Sequence, residues 1–321
     1  MRLSAIGLIA TLALGLPAEA QQVGKVSRSG NAEALNTSPL SGEGQPRYEH
    51  RRTKEVVDLV NEAVSLIEKD GERAFPLLKK EGSKWFKGDL YLFVYDTNGV
   101  NVAHPLRPRL EGQNLIDLKD INGKPIIRMM LDRVSSPGKR SGWVHYMWFR
   151  PNEIFPGWKS SFVRLARSPS GQEYLVGGGL FDMQMEKAFI VEMVDAAAQL
   201  LEKEGKVPLN QFRDKSGPFI FVDSYIFILD EKGNAIIDPA LPSLRGRNLM
   251  DYKDAVGRYV TREMFEKLVH PGDSAWIYYM LRRPGKVRPI KKLAYVRKVQ
   301  VGSEMLIVGA GFAPLPPIWI R

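Results

Sequence analysis

The sequence has no cysteine and only four histidines in 321 residues. The first absence excludes disulfide frameworks, thiolate zinc and iron–sulfur sites, covalent haem attachment and a cysteine nucleophile. The second leaves His50, His104, His145 and His270, too few for a histidine-rich metal centre. Long uncharged apolar runs are also missing. The one stretch of note, Ala5 to Leu16, is shorter than the ~18–20 residues that cross a bilayer, so no membrane anchor is expected. With Arg2 ahead of it and Ala18-Glu19-Ala20 behind, it reads as a secretory signal over residues 1–20, cleaved after Ala20 with no cysteine to take a lipid. That address predicts a periplasmic protein. Neither Gly-x-Ser-x-Gly nor His-Glu-x-x-His occurs, so no enzyme activity, cofactor or metal is expected. Asp120, Asn122 and Gly123 lack the remaining ligands of a calcium loop and read as a turn. Gly177-Gly178-Gly179 lacks the Lys-Ser/Thr of a phosphate loop and suggests close backbone packing at a sheet edge.

What is present is a basic chain, with 46 Lys+Arg against 36 Asp+Glu and a net charge of +10. Export argues against nucleic acid, which leaves small anions, acidic envelope surfaces or an acidic partner. Residues 21–48, rich in Gln, Ser, Gly, Asn and Pro without a hydrophobic period, read as a disordered leader. Beyond it the chain repeats itself. Asp96, Gly99, Pro105, Gly112, Asn114, Leu115, Asp117, Lys119, Asp120, Gly123 and Arg128 recur 134 residues later, from Asp230 through Asp254 and Gly257 to Arg262. At an offset of 133, Trp143, Tyr146, Lys159 and Arg164 match Trp276, Tyr279, Lys292 and Arg297; at 132, Gly177 and Gly179 match Gly309 and Gly311. The chain therefore divides into two copies of one domain, 49–182 and 183–321.

Each copy opens with an amphipathic helix. Val56, Leu59, Val60, Ala63, Val64 and Ile67 keep helical spacing up to Gly71, and the counterpart near Gln184 to Glu204 is apolar on more sides, which predicts that it packs between the copies. A hairpin turning at Asp96-Thr97-Asn98-Gly99, a loop with a short helix near Pro125 to Val134, and three further strands complete the copy. Consecutive strands without crossover helices give an α+β fold, one antiparallel sheet of about five strands per copy with the long helix on one face and the loop region on the other.

At this point the sequence resembles the Cache family of extracellular sensor domains, in its single-Cache type 2 branch, twice in tandem. The residues that carry the likeness are Tyr91 to Asp96, Gly99, Ala103-His104-Pro105, Gly112-Gln113-Asn114-Leu115, Lys119-Asp120 with Gly123, Gly142-Trp143-Val144, Tyr146, Trp148 and Gly177-Gly178-Gly179. The resemblance implies a PAS-like fold and a small-molecule pocket between sheet and covering loops. It also implies work as the sensing part of chemoreceptors and histidine kinases, in chemotaxis or other signal transduction.

The candidate binding residues follow from strand parity and chemistry. Val144, Tyr146 and Trp148 share one face of their strand and Trp143, His145 and Met147 the other, so Tyr146 and Trp148 are expected either in ordinary core or as aromatic walls of a cavity. Lys159 is either a surface lysine or an inward counter-charge for a carboxylate. Arg128 reads as a bidentate carboxylate ligand or as a salt-bridge partner of Asp117 or Asp120. His104 is a candidate donor that the second copy replaces by Asp238. Weaker second-copy equivalents are Asp238, Arg262, Tyr279 and Lys292, where an added carboxylate should repel an anion. The expected ligand is a small organic anion, a carboxylate or amino acid, and the expected partner is a separate membrane receptor or kinase. The alternative is a non-catalytic module contacting an acidic envelope component or partner protein.

Overall fold

The computed structural model describes residues 47–135, 138–150, 153–282 and 288–314. The signal segment expected at 1–20 and nearly all of the leader expected at 21–48 lie outside them. The first helix, α1 (Arg51–Asp70), buries Val56, Val57, Leu59, Val60, Ala63, Val64 and Ile67 along one side. It stops at Gly71, which turns to φ +61° and sends its N–H back to the Ile67 carbonyl. A second, four-residue helix α2 (Phe75–Leu78) leads into the strands β1 (Phe86–Lys87), β2 (Leu90–Asp96) and β3 (Asn101–Ala103). Asp96 Oδ1 accepts the N–H groups of Asn98 and Val100 at 2.9 and 2.8 Å, which fixes the hairpin tip. The covering helix α3 (Ile126–Ser135) and strands β4 (Ser141–Phe149), β5 (Pro156–Arg167) and β6 (Glu173–Phe181) follow.

The second copy repeats this order. It runs through α4 (Lys187–Glu204), β7 (Ile220–Phe221), β8 (Ser224–Asp230), β9 (Ala235–Ile237), α5 (Val260–Lys267), β10 (Ser274–Leu281), β11 (Ile290–Val301) and β12 (Glu304–Phe312). Both sheets are antiparallel and share one topology, β1-β2-β6-β5-β4 with β3 on β2, and β7-β8-β12-β11-β10 with β9 on β8. The sixth strand of each, beyond the five read from the sequence, is the two-residue β1 or β7.

Register confirms the equivalences drawn from the offsets. Tyr146 sits opposite Lys159 and Tyr279 opposite Lys292, while Gly177 faces Phe93 and Gly309 faces Phe227. These glycines do not lie at a sheet edge, since β6 is bonded by β2 on one side and β5 on the other. What they provide is room for a ring. A Cβ on Gly177 would stand 2.3 Å from the Phe93 ring, and one on Gly309 would stand 2.4 Å from the Phe227 ring. Gly177→Ala is therefore expected to cost about 1–3 kcal/mol by overpacking and to push Phe93 out of place. Urea unfolding checks this, and a neutral substitution would contradict it.

The two faces of the first sheet do different work. Leu92, Val94, Trp143, Phe162 and Val176 join α1 in a core that runs on without a break into α4 and the second sheet. Tyr91, Phe93, Tyr95, Val144, Tyr146 and Val163 face the other way, beneath Ile126, Ile127 and Met130 of α3. As its pattern predicts, α4 joins the copies: the Phe189 ring lies 5.0 Å from Trp143, and Glu192 pairs with Arg133 at the end of α3. Glu186 adds a second tie, accepting the Glu49 and His50 N–H groups at 2.7 and 2.9 Å just before α1 begins. Glu49, His50 and Glu186 thus converge just ahead of α1, with both Glu186 oxygens engaged by backbone N–H groups.

Candidate ligand-binding site

On the α3 side of the first sheet, period-two alternation in three strands brings a set of aromatic and cationic side chains together. Tyr91, Phe93 and Tyr95 come from β2, Tyr146 and Trp148 from β4, and Lys159 from β5. His104, just past β3, closes one side and α3 forms the roof. The space among them is about 10 Å³, room for about one water. Tyr91 also borders an open cleft of about 720 Å³ that reaches Leu106, Arg107 and Phe149.

Lys159 is the anomaly of this site. It is 1% exposed, and its Nζ has no hydrogen-bond partner. What surrounds it is aromatic: Nζ lies 3.7 Å from the Tyr91 ring centroid, 5.2 Å from Phe181 and 5.9 Å from Phe93. Cation–π contact and the charge of Asp89 offset part of the lost hydration, yet burial, with Arg107 nearby, still brings the ammonium down from about 10.5 to about 7. His104 is also buried, 2% exposed, and its Nδ1 accepts the Arg107 N–H at 3.2 Å, which places the ring proton on Nε2 as a donor. Burial, with Lys159 and Arg107 nearby, lowers His104 to about 3, so it stays neutral. Tyr146 exchanges a hydrogen bond of 3.0 Å with Ser161, and its ring lies 6.2 Å from Trp148.

Four of the five first-copy residues named from the sequence thus meet in one place: His104, Tyr146, Trp148 and Lys159. Arg128 does not. It is half exposed and bonds Asp117 at 2.8 Å, the salt-bridge reading of its position. Arg262 repeats that role, pairing with Asp251 and donating from Nε to the Met250 carbonyl at 3.0 Å. Both arginines fasten the loop to the short helix. The aromatic row of β2 carries the family likeness but is not among the binding residues expected from the sequence, although Tyr91, Phe93 and Tyr95 alternate as plainly as Tyr146 and Trp148 do.

The second copy is built differently around the same strands. Lys292 is 4% exposed, but its Nζ meets Asp223 Oδ2 at 3.1 Å and the Asp223 carbonyl at 3.0 Å, so its charge is balanced. Asp238 and Tyr279 instead border a cavity of about 370 Å³ with mainly apolar walls.

A family model described as Cache domain matches residues 49–168 and 215–311. Among characterised proteins, the chain is 26% identical over 109 residues to the methyl-accepting chemotaxis protein McpP of Pseudomonas putida, covering 34% of this chain and 19% of that protein. It is 33% identical over 94 residues to the sensor histidine kinase MctS of Rhizobium johnstonii, covering 29% and 19%. The matched stretch is thus about a fifth of either relative. Among solved structures, one described as "Structural basis for carboxylic acid recognition by a Cache chemosensory domain" has 25% identity and a TM-score of 0.35, covering 41% of this chain and 94% of its own. The ligand-binding domain of the Pseudomonas aeruginosa amino acid chemoreceptor PctB has 12% identity and a TM-score of 0.27, covering 82% and 86%. With the model matching across both copies of the fold, the chain belongs to the Cache domain family, as two Cache domains in tandem.

Proposed function

We propose that this chain binds a short-chain carboxylate in its first domain, in the periplasm, and passes the signal to a separate membrane receptor or kinase. The observation that carries this reading is the Lys159 ammonium, buried against aromatic rings with no partner of its own. A buried cation of this kind is costly in isolation and is relieved by an anion, and a carboxylate is the small anion that also carries an apolar tail for Tyr91, Phe93 and Trp148. The neutral His104 supplies a donor beside it. With neither His104 nor His145 basic near neutral pH, both held to about 3, the site lacks an imidazole base and suits binding over catalysis.

Size follows from space. Room of about 10 Å³ admits a ligand only if the cover yields, which favours two- to four-carbon acids over larger ones. The cover is α3, whose Arg133 is tied to Glu192 on α4, so displacement of the roof would be felt by the second domain. No helix among the described residues is long and apolar enough to cross a membrane, and the stretches shared with a chemotaxis protein and a sensor kinase support a sensory role. Thermal-shift measurements with acetate, propionate, butyrate and the matching alcohols test the proposal. The acids should raise Tm, by about 2.7 kcal/mol of added stability at a hundredfold excess over Kd, and the alcohols should not. Equal responses, or none, would contradict it.

A further inference from the structure

The second domain holds a cavity far roomier than the space around Lys159, and its polar group has the opposite sign. It measures about 370 Å³ and sits between β8, β10 and α5, with Phe227, Leu244, Leu249 and Met264 among its apolar walls. At about 30 Å³ for a water-sized unit, that volume holds on the order of ten non-hydrogen atoms. In the first domain the unsatisfied group is the Lys159 ammonium. Here the corresponding lysine, Lys292, is neutralised by Asp223, and two carboxylates line the space: Asp254, whose oxygens accept the Val256, Arg258 and Met280 N–H groups, and Asp238, at the position of His104. Asp238 Oδ1 accepts the N–H groups of Ala240 and Leu241 at 3.1 and 2.9 Å. Among the described residues, Oδ2 receives no hydrogen bond and Asp238 forms no ion pair. The rings of Tyr225 and Tyr279 line the same space and offer the π-faces that a cation prefers.

We infer that the second domain binds an apolar primary amine, its ammonium on Asp238 Oδ2 and between the two tyrosines, its hydrocarbon body among the leucines. Burial raises the Asp238 carboxyl above its ordinary range although Lys292, whose Nζ lies 5.6 Å from the Tyr225 ring, draws it down; with Lys292 committed to Asp223, an ammonium on Oδ2 would complete the counter-charge. Two cations also border the cavity, Lys253 and Arg282, but both are exposed at its mouth, and Lys253 lies 4.8 Å from the Tyr259 ring. Solvent screens them, so they weigh less than the partly desolvated carboxylate. The site is independent of the carboxylate pocket proposed for the first domain, and the chain would then read two ligands of opposite charge.

Calorimetric titration of the full chain with hexylamine, hexanoate and hexanol tests this. Hexylamine should bind saturably and more tightly than hexanol. Asp238→Asn should weaken hexylamine by about tenfold or more while unfolding at the wild-type temperature, because an asparagine Oδ1 still accepts the Ala240 and Leu241 N–H groups. Leu281→Trp, which places in this cavity the residue that the first domain has at Trp148, should block hexylamine by filling the space. Lys159→Met should leave hexylamine binding unchanged. The inference is overturned if hexylamine gives no saturable heat, if hexanol binds as tightly, if Asp238→Asn leaves the affinity unchanged, or if Lys159→Met abolishes it. Failure of the first-domain proposal reads out separately, as short carboxylates that do not respond to Lys159→Met.

Discussion

Lys159→Met will remove carboxylate binding and at the same time make the ligand-free protein more stable, by on the order of 4 kcal/mol at neutral pH. Both effects have one cause. Folding takes the Lys159 ammonium from water into a cage of Tyr91, Phe93 and Phe181 without a hydrogen-bond partner, and its pKa falls from about 10.5 to about 7. Because the folded pKa lies below the unfolded one, the unfolded chain holds the proton more tightly. Wild-type stability therefore carries the full penalty below about pH 7 and recovers as pH rises towards 10.5. Methionine has a similar length, suits an aromatic cage and has no charge to desolvate. The variant should thus be more stable at pH 7 and should lose the rise in stability between about pH 7 and 10. Its Tm should be indifferent to propionate. A less stable variant, or a wild-type protein whose stability is flat across this range, would contradict the account.

Carboxylate affinity should fall as pH rises above about 7, approaching tenfold per unit and reaching about fiftyfold between pH 7 and 9. The anion needs a charged lysine, and above the folded pKa of about 7 the ligand-free site must first take up a proton. The carboxylate itself stays ionised over this range, and His104, held to about 3, contributes no titration. Binding at pH 8.5 should therefore draw close to one proton from the buffer, seen as a calorimetric heat that changes with the buffer's ionisation enthalpy. A constant affinity from pH 6 to 9, with no proton uptake, would mean that the ligand's charge is met elsewhere.

The tandem architecture was legible because both domains keep the same turn chemistry. Asp96 and Asp230 each accept two backbone N–H groups at the hairpin tip, and Gly71 and Gly205 each end the long helix at positive φ. Parity in β4 separated Tyr146 and Trp148 from Trp143 correctly, since a strand gives its side chains only two directions. The remainder depended on facts that spacing does not carry. Arg128 is charged and well placed for an anion, yet Asp117 is within its reach and holds it at the surface. Lys159 and Lys292 occupy matching positions, and so do Asp89 and Asp223, but Asp223 pairs with Lys292 whereas Asp89 pairs with Arg52, a contrast that the aligned residues do not carry. The cavity volumes, about 10 and about 370 Å³, arise from how loops and short helices settle on each sheet. The change from His104 to Asp238 signals in the sequence only that an anion should be repelled, and the cavity beside Asp238 is what turns that change into a site of opposite charge.

A crystal structure of the protein grown with propionate tests the central claim most directly. The account predicts the propionate carboxylate within hydrogen-bond distance of Lys159 Nζ and the His104 ring, with α3 displaced outward and its apolar tail against Tyr91 and Trp148. Propionate found in the second-domain cavity, or a first-domain pocket unchanged at saturating ligand with Lys159 still unpartnered, would contradict it.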